Sequence, residues 1–177
     1  MADNYLEKKM EEHVRGVHTT ARRAPTFIPA GSVCFNLGEL RVLVAGFGQQ
    51  PELAAAIVRA YRRAACRVAF IFGDRRAGAS LAQESGSRHY PYGDDAMARV
   101  EADLGKVWGG VDLVAKVESN GVELEGRRIC RGPGCRQDIF AEKAADACLY
   151  LTLPQSRALI DFDVEIDADG TLTRSCR

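Results

Sequence analysis

The stretch Arg41-Val42-Leu43-Val44-Ala45-Gly46-Phe47-Gly48-Gln49-Gln50-Pro51 decides the fold of this 177-residue chain. Its continuous apolar run, from Val42 to Ala45, is typical of a strand that is buried on both faces. Two glycines, Gly46 and Gly48, then predict a tight turn, and Pro51 suits the first turn of a helix. The stretch therefore predicts a strand, a turn and a helix in direct succession.

Strands and helices alternate in the next part of the chain as well. Further apolar runs predict strands at residues 68–72, 88–92 and 111–117. Helical spacing predicts helices over residues 51–65 and 75–85, and a third helix that Asp94 caps and that ends near Trp108. Strands joined by helices lie parallel in one sheet with helices on both faces. The pattern therefore predicts an α/β fold with a mostly parallel sheet.

The C-terminal part begins with a hairpin signal. Asn120-Gly121 stands between two runs of alternating residues, and both turn residues of such a hairpin need positive φ. Pairing across it would set Val117 opposite Leu124, and it would also set Glu118 opposite Glu123, which is unfavourable. A parallel crossover needs about a dozen residues or more, so none fits before the next strand. The sequence then predicts a helix, a strand and a closing β-hairpin, at residues 137–153, 161–167 and 171–174.

The N-terminal residues carry a separate pattern. Residues 3–15 predict a helix with a thin apolar stripe, and the polar, basic stretch that follows is typical of a linker. We therefore divide the chain into an N-terminal helix and linker over residues 1–25 and a single α/β domain over residues 26–177.

The composition is that of an ordinary folded protein without excess charge. Hydrophobic residues make up 46% of the chain and charged residues 27%, and 24 basic residues balance 24 acidic ones. A net charge of zero gives no electrostatic attraction for nucleic acid or for an anionic membrane. The sequence holds no apolar run of about 18 residues, and its N-terminus lacks an apolar signal core. We therefore expect a cytoplasmic protein that binds neither nucleic acid nor membranes.

Neither the six cysteines nor the acidic residues near the C-terminus predict a metal site. Only Cys130 and Cys135 are close in sequence, and their C-x4-C spacing is unusual for zinc. The acidic residues within 161–169 alternate with apolar ones, which places them on the solvated face of a strand. We expect reduced thiols and no bound metal.

Several stretches of the sequence resemble, in the same order, the short-chain dehydrogenase/reductase family. Residues 41–46 are similar to its first strand and opening glycine, and residues 94–114 to the helix and strand that lead to its Asn-Asn-Ala-Gly motif. Its Pro-Gly strand, a helix near its C-terminus and its last strand with Asp-Gly are similar to residues 128–134, 144–151 and 162–170. The resemblance covers residues 38–170 and implies a three-layer Rossmann-like sandwich with a site for NAD or NADP.

The residues that carry this family's chemistry have no counterpart in the expected place. Between the two matching halves stand only Asn120-Gly121-Val122-Glu123-Leu124-Glu125-Gly126, where the family has helices, a strand and its catalytic Ser, Tyr and Lys. One Tyr-x-x-x-Lys pattern occurs, as Tyr5 and Lys9, but it lies outside the region of resemblance. The resemblance therefore implies a truncated, degenerate member without catalytic residues.

The candidate cofactor site is altered too. The resemblance points to Gly46, Gly48, Gln49 and Asp74 as its cofactor-binding residues. The third glycine of the loop is missing, and a proline and a glutamate at the start of the next helix remove an amide donor and oppose a phosphate. Asp74 lies about two positions beyond the usual ribose-binding acid, where Phe72 stands. We expect no cofactor, and NAD or NADP are the only candidates.

Three functional hypotheses remain open. The first is a catalytically inactive short-chain dehydrogenase-like protein with a binding or assembly role. The second is an NAD(P)-dependent oxidoreductase that uses non-standard residues such as Tyr5 and Lys9. The third is a small-ligand binding protein that uses the crevice at the C-terminal ends of the strands.

The resemblance also implies a homo-oligomer. In the family, a helix and a strand like residues 137–153 and 161–167 form one subunit interface, so we expect a homodimer. Loss of the missing helices should expose apolar sheet surface around residues 113–117, which a folded protein must cover. We expect the N-terminal helix, through Tyr5 and Leu6, to provide that cover.

Overall fold

The computed structural model describes residues 37–38, 40–46, 48–154, 156 and 163–175, all within the unit that spans residues 34–177. The predicted N-terminal helix and linker, with Tyr5 and Lys9, lie outside the described residues, and so does the predicted domain boundary after residue 25. Those expectations stay predictions.

One sheet of eight strands organises the described part of the chain. Its strands are β1 (Arg41–Gly46), β2 (Arg67–Phe72), β3 (Arg88–Pro91), β4 (Leu113–Glu118), β5 (Gly121–Leu124), β6 (Arg127–Arg131), β7 (Asp163–Ile166) and β8 (Leu172–Ser175). They lie in the order β3-β2-β1-β4-β5-β6-β7-β8. Every residue of β1 after Arg41 is buried, as predicted for a strand that is covered on both faces.

Four helices cover the two faces of this sheet within the described residues. They are α1 (Pro51–Arg63), α2 (Arg75–Ser85), α3 (Ala96–Trp108) and α4 (Gln137–Thr152). On one face, which we call the helical face, α1, α2 and α4 contribute Leu53, Leu81 and Phe140 to the larger core. On the other face α3 contributes Leu104 to a smaller core that includes Leu43. The predicted three-layer α/β architecture is therefore confirmed.

The prediction of a mostly parallel sheet is right only for its N-terminal part. Strands β3, β2, β1 and β4 are parallel to one another, and so are β6 and β7. The pairs β4–β5, β5–β6 and β7–β8 are antiparallel. Two-residue loops join β4 to β5 and β5 to β6, and a parallel crossover needs a much longer connection. The short stretch after β4 therefore forms hairpins in place of a crossover.

The first hairpin has a different register from the one predicted. Val117 pairs with Val122, and not with Leu124, so the pairing is shifted by two residues. Its loop residues are Ser119 and Asn120, because Gly121 already belongs to β5. A Cβ atom on Gly121 would lie 2.0 Å from the carbonyl oxygen of Ile129, so β6 approaches too closely for any side chain there. Gly121 is therefore required by the close approach of β5 to β6, and it lies outside the two-residue loop.

The shifted register also removes the unfavourable pair that the sequence predicted. Glu123 pairs with Lys116 and not with Glu118, and Lys116 Nζ lies 3.3 Å from Glu123 Oε1. Of the two positive φ angles expected at Asn120-Gly121, only that of Gly121 is present (157°), and the next loop has two, at Glu125 (50°) and Gly126 (79°). This second hairpin was not predicted, because Glu is not one of the residues that favour positive φ at the first turn position.

Most predicted boundaries agree with the structure to within two residues. The predicted bounds of α2 are those observed, and α1 begins at Pro51 as predicted. The predicted cap of α3 is wrong, because its N-cap residue is Asp95 and not Asp94. Asp95 makes no side-chain hydrogen bond to the helix, so neither acid supplies the expected cap.

The apolar surface expected around residues 113–117 is not present on the sheet. Leu113, Ala115 and Val117 are buried in the core of the helical face. The alternate residues Lys116 and Glu118 are exposed on the opposite face, as the two-residue period of a strand requires. The expected patch is therefore charged. The N-terminal helix that was expected to cover it lies outside the described residues.

Candidate functional site

The strand order places a crevice between β1 and β4. These strands are parallel neighbours, so their carboxyl ends, Gly46 and Glu118, meet at the same edge of the sheet. The chain runs from β1 toward β2 on one side, whereas β4 lies on the other. In doubly wound sheets ligands bind outside the carboxyl ends of the strands at such a switch point. This edge is therefore the candidate site.

A chain of side-chain hydrogen bonds crosses this crevice. Gln50, in the loop after β1, donates from Nε2 to the carbonyl oxygen of Glu118 at 3.1 Å, and also to that of Ser119. Its Oε1 accepts a hydrogen bond from Gln137 Nε2 at 2.9 Å. Gln137 Oε1 in turn accepts one from Arg131 Nη1 at 2.7 Å. We call Gln50, Gln137 and Arg131 the glutamine clasp.

The glutamine clasp joins the loops after β1 and β4 to the first residue of α4. Both glutamine side chains are partly buried, and the carboxamide of Gln50 uses its nitrogen and its oxygen within the protein. A ligand that took the place of these bonds would have to replace them, because unpaired polar groups away from water are unfavourable. Sequence reasoning missed the clasp, since Gln50 and Gln137 lie 87 residues apart.

The glycines of the predicted cofactor loop have different roles here. A Cβ atom on Gly46 would lie 2.8 Å from Ala54 Cβ, so Gly46 allows α1 to pack closely on β1. Gly48 is exposed and has a φ of 92°, which favours glycine, and Gln49 beside it is exposed. A Cβ atom on Gly48 would lie 3.9 Å from Gly73 Cα, so this loop lies against the end of β2.

Asp74 lies at the same edge as Gly48 but acts on its own helix. Its Oδ1 accepts hydrogen bonds from the backbone amides of Arg76 at 2.7 Å and Ala77 at 3.1 Å. These bonds make Asp74 the N-cap residue of α2. The structure thus brings together all four predicted cofactor residues at one edge, and it assigns Gly46 and Asp74 local structural roles.

The N-terminus of α1 is poorly suited to an anion. Pro51 occupies the first turn and has no amide hydrogen, and Glu52 places a negative charge there. A negative charge near a helix N-terminus competes with phosphate for the same partial positive charge. The expected weakness of the dinucleotide site stays a prediction.

The buried titratable groups outside the crevice support packing. Tyr61 lies between α1 and α4, with its hydroxyl 2.8 Å from Thr152 Oγ1 and 3.3 Å from the carbonyl oxygen of Cys148. Burial raises the pKa of Tyr61 well above its usual value. Burial also raises the pKa of the Cys66 thiol to about 11 and that of Cys148 to about 12. These three groups therefore stay protonated at neutral pH.

The described residues contain no group of three or more His, Cys, Asp or Glu side chains arranged to hold a metal ion. Their four cysteines, Cys66, Cys130, Cys135 and Cys148, are free thiols. Within the same part of the chain, no helix combines the length and the apolar character that crossing a membrane requires.

Two solved structures resemble parts of this chain. An enoyl-(acyl-carrier-protein) reductase from Anaplasma phagocytophilum, solved in complex with NAD, matches with 18% sequence identity and a TM-score of 0.40 over 46% of this chain and 34% of that chain. BdcA (YjgI) from E. coli matches with 19% identity and a TM-score of 0.36 over 69% of this chain and 62% of that chain. The chain thus spans about a third of the first protein and less than two thirds of the second. No protein-family model and no curated protein matches it.

Proposed function

We propose that the chain is a catalytically inactive, short-chain dehydrogenase-like protein with a binding or assembly role. The glutamine clasp is the observation that carries this proposal. It crosses the crevice at the switch point with three side chains that hydrogen-bond to one another. The residue nearest to a ribose-binding acid, Asp74, is engaged as a helix cap.

The proposal includes a homo-oligomer in the cytoplasm. The free thiols of the described residues support a reducing compartment. The strand that was expected to form part of the subunit interface cannot pair with a second copy, because β7 pairs with β6 on one side and with β8 on the other. Strand β7 has no free edge, and helix α4 is the part of that interface that stays accessible.

Thermal unfolding with NAD or NADP tests the absence of a cofactor site. A ligand at about 100 times its Kd stabilises a binder by about 2.7 kcal/mol, which corresponds to a shift of several degrees. We expect millimolar NAD or NADP to leave the Tm unchanged, and NADH or NADPH to show no oxidation with a panel of carbonyl substrates. A clear Tm shift or turnover would contradict the proposal and favour the oxidoreductase hypothesis.

The clasp itself is tested by two neighbouring glutamines. Gln50→Ala removes the hydrogen bonds across the crevice, so we expect it to lower the free energy of unfolding by about 1 kcal/mol. Gln49→Ala is the matched control, because Gln49 is exposed and lies outside the clasp. Equal stability of the two variants would show that the clasp does not hold the crevice closed.

A further inference from the structure

The described sheet ends in two edge strands that expose different backbone groups. Strands β3 and β8 stand at opposite ends of the strand order, so within the described residues each has a neighbour on one side only. Successive residues of a strand direct their amide and carbonyl groups alternately to its two sides. The groups that face outward at an edge decide whether a further strand can pair there.

Strand β3 is poorly suited to a further strand. The amide of Tyr92 donates to the carbonyl oxygen of Phe72 in β2, so the preceding residue, Pro91, directs its backbone groups away from the sheet. A proline has no amide hydrogen, so at this position it removes a donor that an added strand would need. Of the four residues of β3, only His89 presents an amide on the outer side.

Strand β8 has no such block. The amide of Asp167 donates to the carbonyl oxygen of Thr171 at 3.0 Å where the β7–β8 hairpin closes, and this bond fixes the alternation along β8. Thr173, two residues later, also directs its backbone groups toward β7, whereas Leu172 and Arg174 direct theirs away from it. Both outward residues therefore present an amide and a carbonyl group.

Leu172 adds an apolar side chain to this open edge. It pairs with Ile166 of β7, and residues directly opposite each other share a face of the sheet. Ile166 is fully buried on the helical face, but Leu172 on the same face is 50% exposed. Among the residues of β8 only Arg174 is charged, so the edge has little of the protection that charges and prolines give.

We propose that β8 pairs with β8 of a second copy, which joins the two sheets into one. A two-fold axis perpendicular to the sheet, beside Thr173, makes the two strands antiparallel. Leu172 of each copy then lies opposite Arg174 of the other, and each such pair exchanges two backbone hydrogen bonds. The four hydrogen bonds use every amide and carbonyl group that β8 presents on its outer side.

The side chains fit the same axis. Thr173 of one copy lies directly opposite Thr173 of the other, on the face away from α4, and such threonine pairs are favourable. Leu172 of the two copies are diagonal neighbours on the helical face, within reach of each other. Since Pro91 blocks the other edge of the sheet, the pairing ends at a closed dimer. This inference rests on the proposed assembly role, with β8 in place of β7 as the strand of the interface.

Charges at position 172 test the pairing. We expect sedimentation to show a monomer–dimer equilibrium between about 10 and about 500 micromolar, because a small interface binds weakly. Leu172→Lys and Leu172→Glu should each raise the Kd at least about tenfold, since like charges become diagonal neighbours. An equal mixture of the two variants should form mixed dimers at least about fivefold tighter than either variant alone. Val107→Lys and Val107→Glu are the matched controls, because Val107 is 49% exposed and lies on α3.

A proline tests the backbone part of the contact. Arg174→Pro removes an amide that faces away from β7 and leaves the bonds between β7 and β8 in place. We expect this variant to stay folded and to raise the Kd of the dimer at least about tenfold. Arg174→Ala controls for the loss of the arginine, and it should leave the Kd within about threefold of the starting value.

Three outcomes would overturn the inference: a monomer over the whole concentration range, a dimer that these variants leave unchanged, or a mixture of the lysine and glutamate variants that stays monomeric. Circular dichroism melts establish that each variant is folded. If Arg174→Pro unfolds the chain, the charge variants alone decide. A monomer that also leaves NAD and NADP unbound would reject this interface while the absence of a cofactor site stands. A dimer indifferent to all these variants would leave assembly intact through another surface.

Discussion

The two halves of the sheet differ in strand direction and in how many of their faces are covered by helices. In the N-terminal half, β1 to β4 are parallel, and helices on both faces bury β1 and β2 almost completely. In the C-terminal half, β5 to β8 are joined mainly by short hairpins, and α4 covers one face. There the strands alternate, with Ile129 and Val164 buried and Arg128 exposed. The comparison shows that connection length sets strand direction, and that the helices present decide how apolar a strand must be.

The two halves meet at the glutamine clasp. Gln50 belongs to the first half, whereas Gln137 and Arg131 belong to the second. The edge at which a doubly wound sheet would open toward a ligand is thus used here to hold the halves together. Variants that act on one half of the sheet, each with a matched control, test how the two halves differ.

Gly121→Ala should have the largest effect. The new Cβ would lie 2.0 Å from the backbone oxygen of Ile129, and a backbone atom cannot move away without separating β5 from β6. We expect the free energy of unfolding to fall by about 3 kcal/mol or more in urea denaturation. Gly105→Ala in α3 is the control, because a Cβ there has nothing within 4 Å. It should stabilise the helix by about 0.5–1 kcal/mol. A tolerated Gly121→Ala would mean that the hairpins are not packed as described.

Arg127→Met should have an intermediate effect. This side chain is only 4% exposed, and it donates to the carbonyl oxygens of Leu151 at 2.9 Å and Ser156 at 3.4 Å. It thereby anchors the end of α4 to β6, and its loss should lower the free energy of unfolding by about 2 kcal/mol. Arg128→Met, one residue further and on the exposed side, should change it by less than about 0.5 kcal/mol. Equal changes in the free energy of unfolding would contradict the conclusion that α4 covers only one face of the C-terminal half.

The smallest effect concerns an ion pair in the first half. Arg41 donates from Nε to Asp112 Oδ2 at 2.8 Å and from its backbone amide to the same oxygen at 2.9 Å, which lowers the pKa of Asp112 from 3.8 to about 2. Since folding favours the charged carboxylate, the pair stabilises the protein above about pH 4, and this contribution is lost as the pH falls toward 2. The effect is modest, because the two side chains are 29% and 33% exposed.

Asp112→Asn should remove this pH dependence. Urea denaturation at a series of pH values between neutral and strongly acidic should give a flatter profile below about pH 4 than in the unmodified protein. Asp95→Asn makes the same change of charge at a residue without a side-chain hydrogen bond to its helix. A profile that Asp112→Asn leaves unchanged would show that the pair contributes nothing to stability.

Much of the local structure could be predicted from the sequence. The apolar run of β1, the proline that starts α1 and the bounds of α2 depend on neighbouring residues, and the structure confirms them. That the candidate cofactor residues lie at one edge of the sheet follows from the order of the parallel strands. The roles of these residues could not be predicted from the sequence. That Asp74 caps α2, for instance, depends on the geometry of one turn.

The sequence was sufficient to predict the alternation of strands and helices, the α/β layers and the absence of a parallel crossover after β4. Those features follow from periodicity and loop length, which are properties of nearby residues. The folded structure was needed to reveal the hairpin register, the position of Gly121 against Ile129 and the glutamine clasp. Each depends on atoms from segments distant in sequence, and their approach is fixed by side-chain packing rather than by local preference.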